Sequence, residues 1–208
     1  MDLYYTAKCL VNLTQNGDTV EIIQGQLCND CFVKSPFYNE RPKHVEPNLL
    51  VIHNISLPPG KFGGPHVHEL FTGTLNPTED LFFAEIAHLQ VSAHCFIRRD
   101  GEIVQFVNFN DRAWHAGVSR FQGKENCNDY SIGIELEGTD TDPYTDEQYE
   151  KLVVLTAEIM QHYPGISLGR ITGHSDIAFG RKTDPGMAFD WCRYRHHLVE
   201  YRKKNGVI

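Results

Sequence analysis

The chain has 208 residues, 41% of them hydrophobic and 22% charged, with a formal net charge of −8. That is the profile of a single globular domain able to bury a sizeable core. The acidic balance excludes non-specific binding to nucleic acid or to an anionic membrane, both of which need a basic surface. No run of about 18 apolar residues occurs, so no membrane span is expected. The start, Met1-Asp2-Leu3-Tyr4-Tyr5, lacks the basic-then-apolar pattern of a secretion signal, so a cytoplasmic location is expected.

Six cysteines are scattered at positions 9, 28, 31, 95, 127 and 192, and a chain this long needs no disulfide scaffold. They read as thiols of a reducing compartment. Cys28 and Cys31 have the spacing of half a zinc knuckle, but no second such pair exists. The eleven histidines are the better source of metal ligands.

Residues 1–34 read as an N-terminal extension packed on a domain spanning 35–208, with a short strand at Val20-Glu21-Ile22-Ile23. Leu49-Leu50-Val51-Ile52-His53-Asn54-Ile55 is a continuous apolar run, as expected of a central strand covered on both faces. A loop rich in proline and glycine follows from Ser56 to Pro65. His66 and His68 come next, ahead of a segment with little clear periodicity. Two β-prone runs, 93–97 and 102–107, flank Asp100-Gly101 and predict a hairpin. Residues 112–117 read as a loop carrying an aromatic wall at Trp114. In Ser131-Ile132-Gly133-Ile134-Glu135-Leu136-Glu137 the alternation puts Ile132, Ile134 and Leu136 on one face and both glutamates on the other. Thr145 and Gln148 make a capping box at the start of a helix that ends before Pro164. A short strand is expected at 170–172. Trp191, Tyr194, Leu198 and Tyr201 recur at helical spacing and predict a terminal amphipathic helix. Strands and helices interleave, so the expected class is α/β: a mixed central sheet flanked by helices.

The chemistry concentrates between Gly173 and Gly186. His174 and Asp184 are too far apart to share a helix face, so they meet only if the segment loops back. Lys182 and Asp184 point the same way if the run before Pro185 is extended. Two imidazoles and a carboxylate, His53, His174 and Asp184, make a plausible zinc set with a fourth position open to water, which is the arrangement of a catalytic site. Glu135 has the chemistry of a proton shuttle and Lys182 that of an oxyanion partner. Spacing alone leaves rivals. His66-x-His68 is an equally good chelate pattern, His94 lies on a strand, Glu137 competes with Glu135, and Trp114 reads as core as well as wall.

Residues 51–65, 91–97, 112–119, 127–141 and 172–185 together resemble, in order, the cytoplasmic zinc-dependent anhydro-muramyl-L-alanine amidases. The wider family includes phage amidases and peptidoglycan recognition domains, and the likeness runs from about residue 35 to 202. The resemblance implies a mixed sheet flanked by helices and hydrolysis of a muramoyl-L-alanine amide. It implies zinc on His53, His174 and Asp184, catalysis by Glu135 with help from Lys182, and a substrate groove lined by Asn54, Trp114 and Arg181. The implied substrate is a soluble anhydro-muropeptide, the implied role is peptidoglycan recycling with an indirect effect on muropeptide-sensing regulation, and a monomer is expected. An exported wall-lytic amidase and a noncatalytic peptidoglycan-binding module are the alternatives on the same fold. The chain departs from the family pattern at Gln90 and Asn126, where arginines are expected, which turns attention to Arg120 and Lys124 as replacement cations.

Overall fold

The computed structural model describes residues 20–28 and 31–207. Cys9 and residues 1–19 of the expected extension lie outside them. In chain order the strands are Ile22–Ile23 (β1), Gln26–Leu27 (β2), Tyr38–Glu40 (β3), Leu49–Ile55 (β4), Cys95–Ile97 (β5), Ile103–Gln105 (β6), Asp111–Ala113 (β7), Arg120–Phe121 (β8), Lys124–Glu125 (β9), Ser131–Glu137 (β10) and Ile171–Gly173 (β11). The helices are His66–Thr72 (α1), Leu81–Ile86 (α2), Asp146–His162 (α3), His174–Ile177 (α4) and Trp191–Lys204 (α5).

Five strands form the central sheet in the order β11-β4-β10-β5-β6. The pairs β11–β4, β4–β10 and β10–β5 are parallel, and β5–β6 is antiparallel. The expected mixed α/β sheet is therefore present. Every residue of β10 is buried, as are Leu49 to His53 of β4. For β4 this explains the near-continuous apolar run, since a helix-covered parallel strand has no solvent face to keep polar; β10 is equally buried but carries Glu135 and Glu137 on one face. One face packs Leu50, Ile52, Ile132, Ile134 and Leu136 against α3 and α5 through Leu152, Leu155, Ile159, Tyr194 and Leu198. The other face carries a second cluster, in which Val67, Leu70 and Phe71 of α1 and Phe83 of α2 pack with Phe96, Val104 and Phe106. Ile22 and Leu27, on the β1–β2 ribbon, are buried in the first cluster.

Thr145 accepts from Gln148 N, and Gln148 returns the bond to the Thr145 backbone, so α3 starts at the predicted capping box. Asp190 caps α5 by accepting from Arg193 N. The hairpin turns at Gly101, whose φ of 86° suits glycine. Two expectations change. The segment after Pro65 is helical: α1 and α2 are single short helices, closed by Gly73 in the left-handed region and opened by Asp80 accepting from Phe82 N. The loop expected at 112–117 begins as strand, because Asp111–Ala113 pairs antiparallel with Tyr38–Glu40. No helix among the described residues is long and apolar enough to cross a membrane.

Candidate metal centre

The register of the sheet builds this site. In β10, Glu135 lies opposite His53 of β4. In β11, Gly173 lies opposite Ile52, so His174, the next residue, begins α4 beside His53. The two rings sit 4.4 Å apart, centroid to centroid. The chain then loops from α4 back to Asp184, whose carbonyl accepts from Ser175 N at 2.9 Å. Asp184 Oδ2 lies 3.0 Å from His53 Nδ1 and 3.0 Å from His174 Nδ1. Three donor atoms from distant parts of the chain therefore converge, two of them on fully buried imidazoles.

This donor set fits zinc. Ligands about 2.0–2.1 Å from a tetrahedral zinc stand about 3.3 Å from one another, close to the spacing here. The outer nitrogens carry the stronger argument. His174 Nε2 faces the carbonyl of Ala116 at 3.1 Å and must donate to it. In the neutral ring that leaves the Nδ1 lone pair aimed at a carboxylate oxygen, an arrangement that a cation between them relieves. Burial holds the His53 imidazole down at about 4, against the pull of Asp184. Burial also pushes the Asp184 carboxyl up, but its bonds to His174 and His53 outweigh that and hold it well below the usual carboxylate range. A neutral His53 imidazole and an ionised Asp184 carboxylate are the forms that bind metal.

Glu135 Oε1 lies 4.0 Å from His53 Nδ1. Its other oxygen is buried without a hydrogen-bond partner. Burial, reinforced by the Asp184 charge, raises the Glu135 carboxyl well above its ordinary value, and Lys182 opposes this. An unpartnered carboxylate oxygen beside a metal set is costly as structure and suited to proton transfer. Glu137 is different: its oxygens accept from Gly63 N at 2.5 Å and Arg99 N at 3.1 Å, tying the 56–65 loop to the sheet.

The centre opens into a cavity of about 720 Å³. Leu70 and Phe71 of α1, Phe82 and Ile86 of α2, and Leu57 form an apolar wall. Asp140, Thr141 and Lys182 form a polar one. Asn54, Trp114 and Arg181 all line it. Asn54 donates to Asp140 at 3.0 Å, Trp114 Nε1 donates to Asn39 at 2.6 Å, and Arg181 donates to the carbonyls of Ala116 and Val118 at 2.7 and 2.8 Å. Each of the three is thus oriented by the protein before any ligand arrives.

The rival histidines go elsewhere. His94 accepts from Gly133 N at 2.9 Å inside the sheet. His68 packs against Phe106 and Arg98. His66 meets Glu69 of α1 and Glu79 of the loop before α2, a more exposed trio of possible ligands outside the cavity. Arg120 pairs with Glu125 at 2.6 Å and Lys124 covers the Tyr130 ring at 4.1 Å. Neither lines the cavity, and Arg181 and Lys182 are the cations that do. Two residues that the sequence did not single out belong to the site: His115, bonded to His53, and Asn128, whose Oδ1 accepts from His115 N and Ala116 N at 3.1 and 2.8 Å. No spacing signal marks either.

Residues 43–187 match the family model of N-acetylmuramoyl-L-alanine amidase. The chain belongs to this amidase family. It is 64% identical over 175 residues to the 1,6-anhydro-N-acetylmuramyl-L-alanine amidase AmpD of Enterobacter cloacae, covering 84% of this chain and 93% of the relative. The Haemophilus influenzae protein of the same name is 54% identical over 176 residues, covering 84% of this chain and 96% of the relative. A selenomethionine AmpD crystal structure superposes with a TM-score of 0.83 at 58% identity, covering 85% of this chain and 98% of that one. The Escherichia coli amidase AmiD, solved with anhydro-N-acetylmuramic acid-L-Ala-D-γ-Glu-L-Lys, superposes with a TM-score of 0.54 at 25% identity, covering 86% of this chain and 65% of that one. The chain is thus an N-acetylmuramoyl-L-alanine amidase by family, and the described centre of this amidase lies inside the matched segment.

Proposed function

We propose that this amidase is a zinc-dependent hydrolase of cytoplasmic peptidoglycan recycling. It cleaves the amide between anhydro-N-acetylmuramic acid and the L-alanine of soluble muropeptides, and so lowers the supply of muropeptides to any regulator that senses them. The observation that carries the chemistry is the His53–His174–Asp184 donor set, with both imidazoles buried, beside an unpartnered Glu135 oxygen. The substrate follows from the names of the relatives and from the ligand of the AmiD complex.

Zinc held by His53, His174 and Asp184 would supply an acidified water and a polarised substrate carbonyl. Glu135 takes the proton that the attacking water loses and returns it to the leaving alanine nitrogen. Its burial, which favours the protonated form, suits it to hold that proton between the two steps. Lys182, on the cavity wall, offsets the negative charge that develops on the carbonyl oxygen. Arg181 and Lys182 present positive charge to an anionic peptide on an otherwise acidic molecule. Asn54 and Trp114 contribute wall surface for the substrate.

Mass-spectrometric assay of anhydro-muropeptide cleavage tests this reading. Release of the free stem peptide, abolished by a chelator and restored by zinc, is the expected result. Tight binding without cleavage, or preference for intact wall polymer over the soluble fragment, would replace the reading with a binding module or a lytic enzyme.

A further inference from the structure

The two imidazoles of the metal set differ on their outer sides. His174 Nε2 meets the Ala116 carbonyl, a fixed acceptor, so its proton has one place. Arg181, 3.5 Å away, is already committed to the Ala116 and Val118 carbonyls. His53 Nε2 meets another imidazole, His115 Nδ1, at 2.8 Å, and His115 Nε2 meets Ser131 Oγ at 3.0 Å. Imidazole and hydroxyl each donate or accept, so this chain runs in either direction. Its geometry is built: a Cβ on Gly133 would stand 2.5 Å from the His115 ring, and Asn128 fixes the His115 backbone.

We propose that His115, backed by Ser131, is a positioning residue whose hydrogen-bond direction reverses when the centre takes up its metal. This rests on the reading that His53, His174 and Asp184 hold zinc. In the metal-free protein His53 Nδ1–H donates to Asp184, His115 Nδ1–H donates to His53 Nε2, and the Ser131 hydroxyl donates to His115 Nε2. With metal on Nδ1, the His53 proton must sit on Nε2. His115 Nδ1 then accepts it, His115 Nε2–H donates to Ser131, and the hydroxyl hydrogen turns away. His53, His115 and Ser131 each carry one proton in both states, so the chain gains and loses none. The pair therefore orients the His53 ring and gives its Nε2–H an acceptor in the loaded state, while the same atoms satisfy the empty one. An outer partner of this kind is commonly worth 10–100-fold in metal affinity.

The test is long-range proton–nitrogen NMR of ¹⁵N-labelled wild-type protein, stripped with chelator and then titrated with zinc. His115 is expected to carry its proton on Nδ1 before zinc and on Nε2 after. The same tautomer in both states would overturn the proposal, and this experiment needs no variant. Chelator-competition titrations supply the second arm. His115→Ala is expected to bind zinc about 10–100-fold more weakly. His115→Asn, whose amide oxygen takes the place of Nδ1, is expected to recover most of that loss. Equal affinity for His115→Ala and wild type would also overturn the proposal. Wild-type protein that takes up no zinc would instead remove the metal reading beneath it.

Discussion

Glu135 and Glu137 lie two positions apart on one face of one strand, yet their neighbours give them different work. Glu137 is spent on two backbone N–H groups, while Glu135 keeps one buried oxygen without a partner and stands 4.0 Å from His53 Nδ1. Glu135→Gln keeps the shape and removes the base. Turnover of anhydro-muropeptide is expected to fall by about 10²–10⁴-fold, the usual worth of positioned proton transfer. Zinc content measured by atomic emission should stay at the wild-type level, and full turnover would end the assignment. Lys182→Met tests the other charge at the cavity. A loss of about 10²–10³-fold in kcat, with little change in KM, is expected if the ammonium acts only as charge develops. A rise in KM alone would make Lys182 a substrate grip instead.

At the scale of elements, what the sequence revealed depended on how locally each piece is specified. The apolar run of β4, the Asp100-Gly101 turn and the Thr145–Gln148 box are decided by neighbouring residues, and each appears where expected. Helices α1, α2 and α4 have 7, 6 and 4 residues, too few for a period of 3.6 to declare itself. They are held by tertiary packing, as Leu70, Phe71 and Phe83 show. The pairing of β3 with β7 joins segments some 70 residues apart and left no local mark. The same limit applied to the site. Histidine spacing offered His66, His68 and His94 on equal terms with His53, and the register of β11 on β4 is what brings His53 and His174 together. His115 was legible as part of a loop but not as a partner of His53, because that contact joins the segment after β7 to the interior of β4 across 62 residues of sequence. An element-level prediction follows from Glu137. Its carboxylate is the acceptor that pins Gly63 and Arg99. Glu137→Ala leaves two N–H groups without that acceptor and is expected to lower stability by about 1–3 kcal/mol in urea unfolding. Limited proteolysis should then cut first within 56–65, and cutting elsewhere would show that other contacts hold the loop.

The whole molecule carries a net charge of −8 yet encloses three imidazoles, His53, His94 and His115, that burial holds below their ordinary value, and that combination shapes its response to acid. His94 is the cleanest member to follow, because it is fully buried and its ring nitrogen serves the Gly133 N–H rather than the metal donors. Burial, with Arg41 beside it, holds its imidazole well below the ordinary 6.5. The unfolded chain therefore binds a proton below about pH 6.5 that the folded chain refuses. Its stabilising contribution is complete above that pH and falls as the solution is acidified, until the folded-state value is reached. One excluded proton corresponds to a slope of about 1.4 kcal/mol per pH unit. Other groups contribute in the same window. His53 adds to the slope, and Glu135, whose carboxyl is raised, opposes it. Asp184 is depressed and acts only below its ordinary value near pH 4. Comparing two proteins cancels these shared terms. His94→Asn retains an acceptor for Gly133 N and removes the titrating ring. Between pH 6.5 and 5, in chelator, the urea stability of the variant is expected to depend on pH less steeply than wild type. The difference is about 0.7 kcal/mol per unit at pH 6.5, where half the unfolded chains hold the proton, and rises to about 1.4 kcal/mol per unit near pH 5. Parallel curves would mean that the folded protein admits the proton at His94, and that the enclosure of these rings is looser than their burial implies.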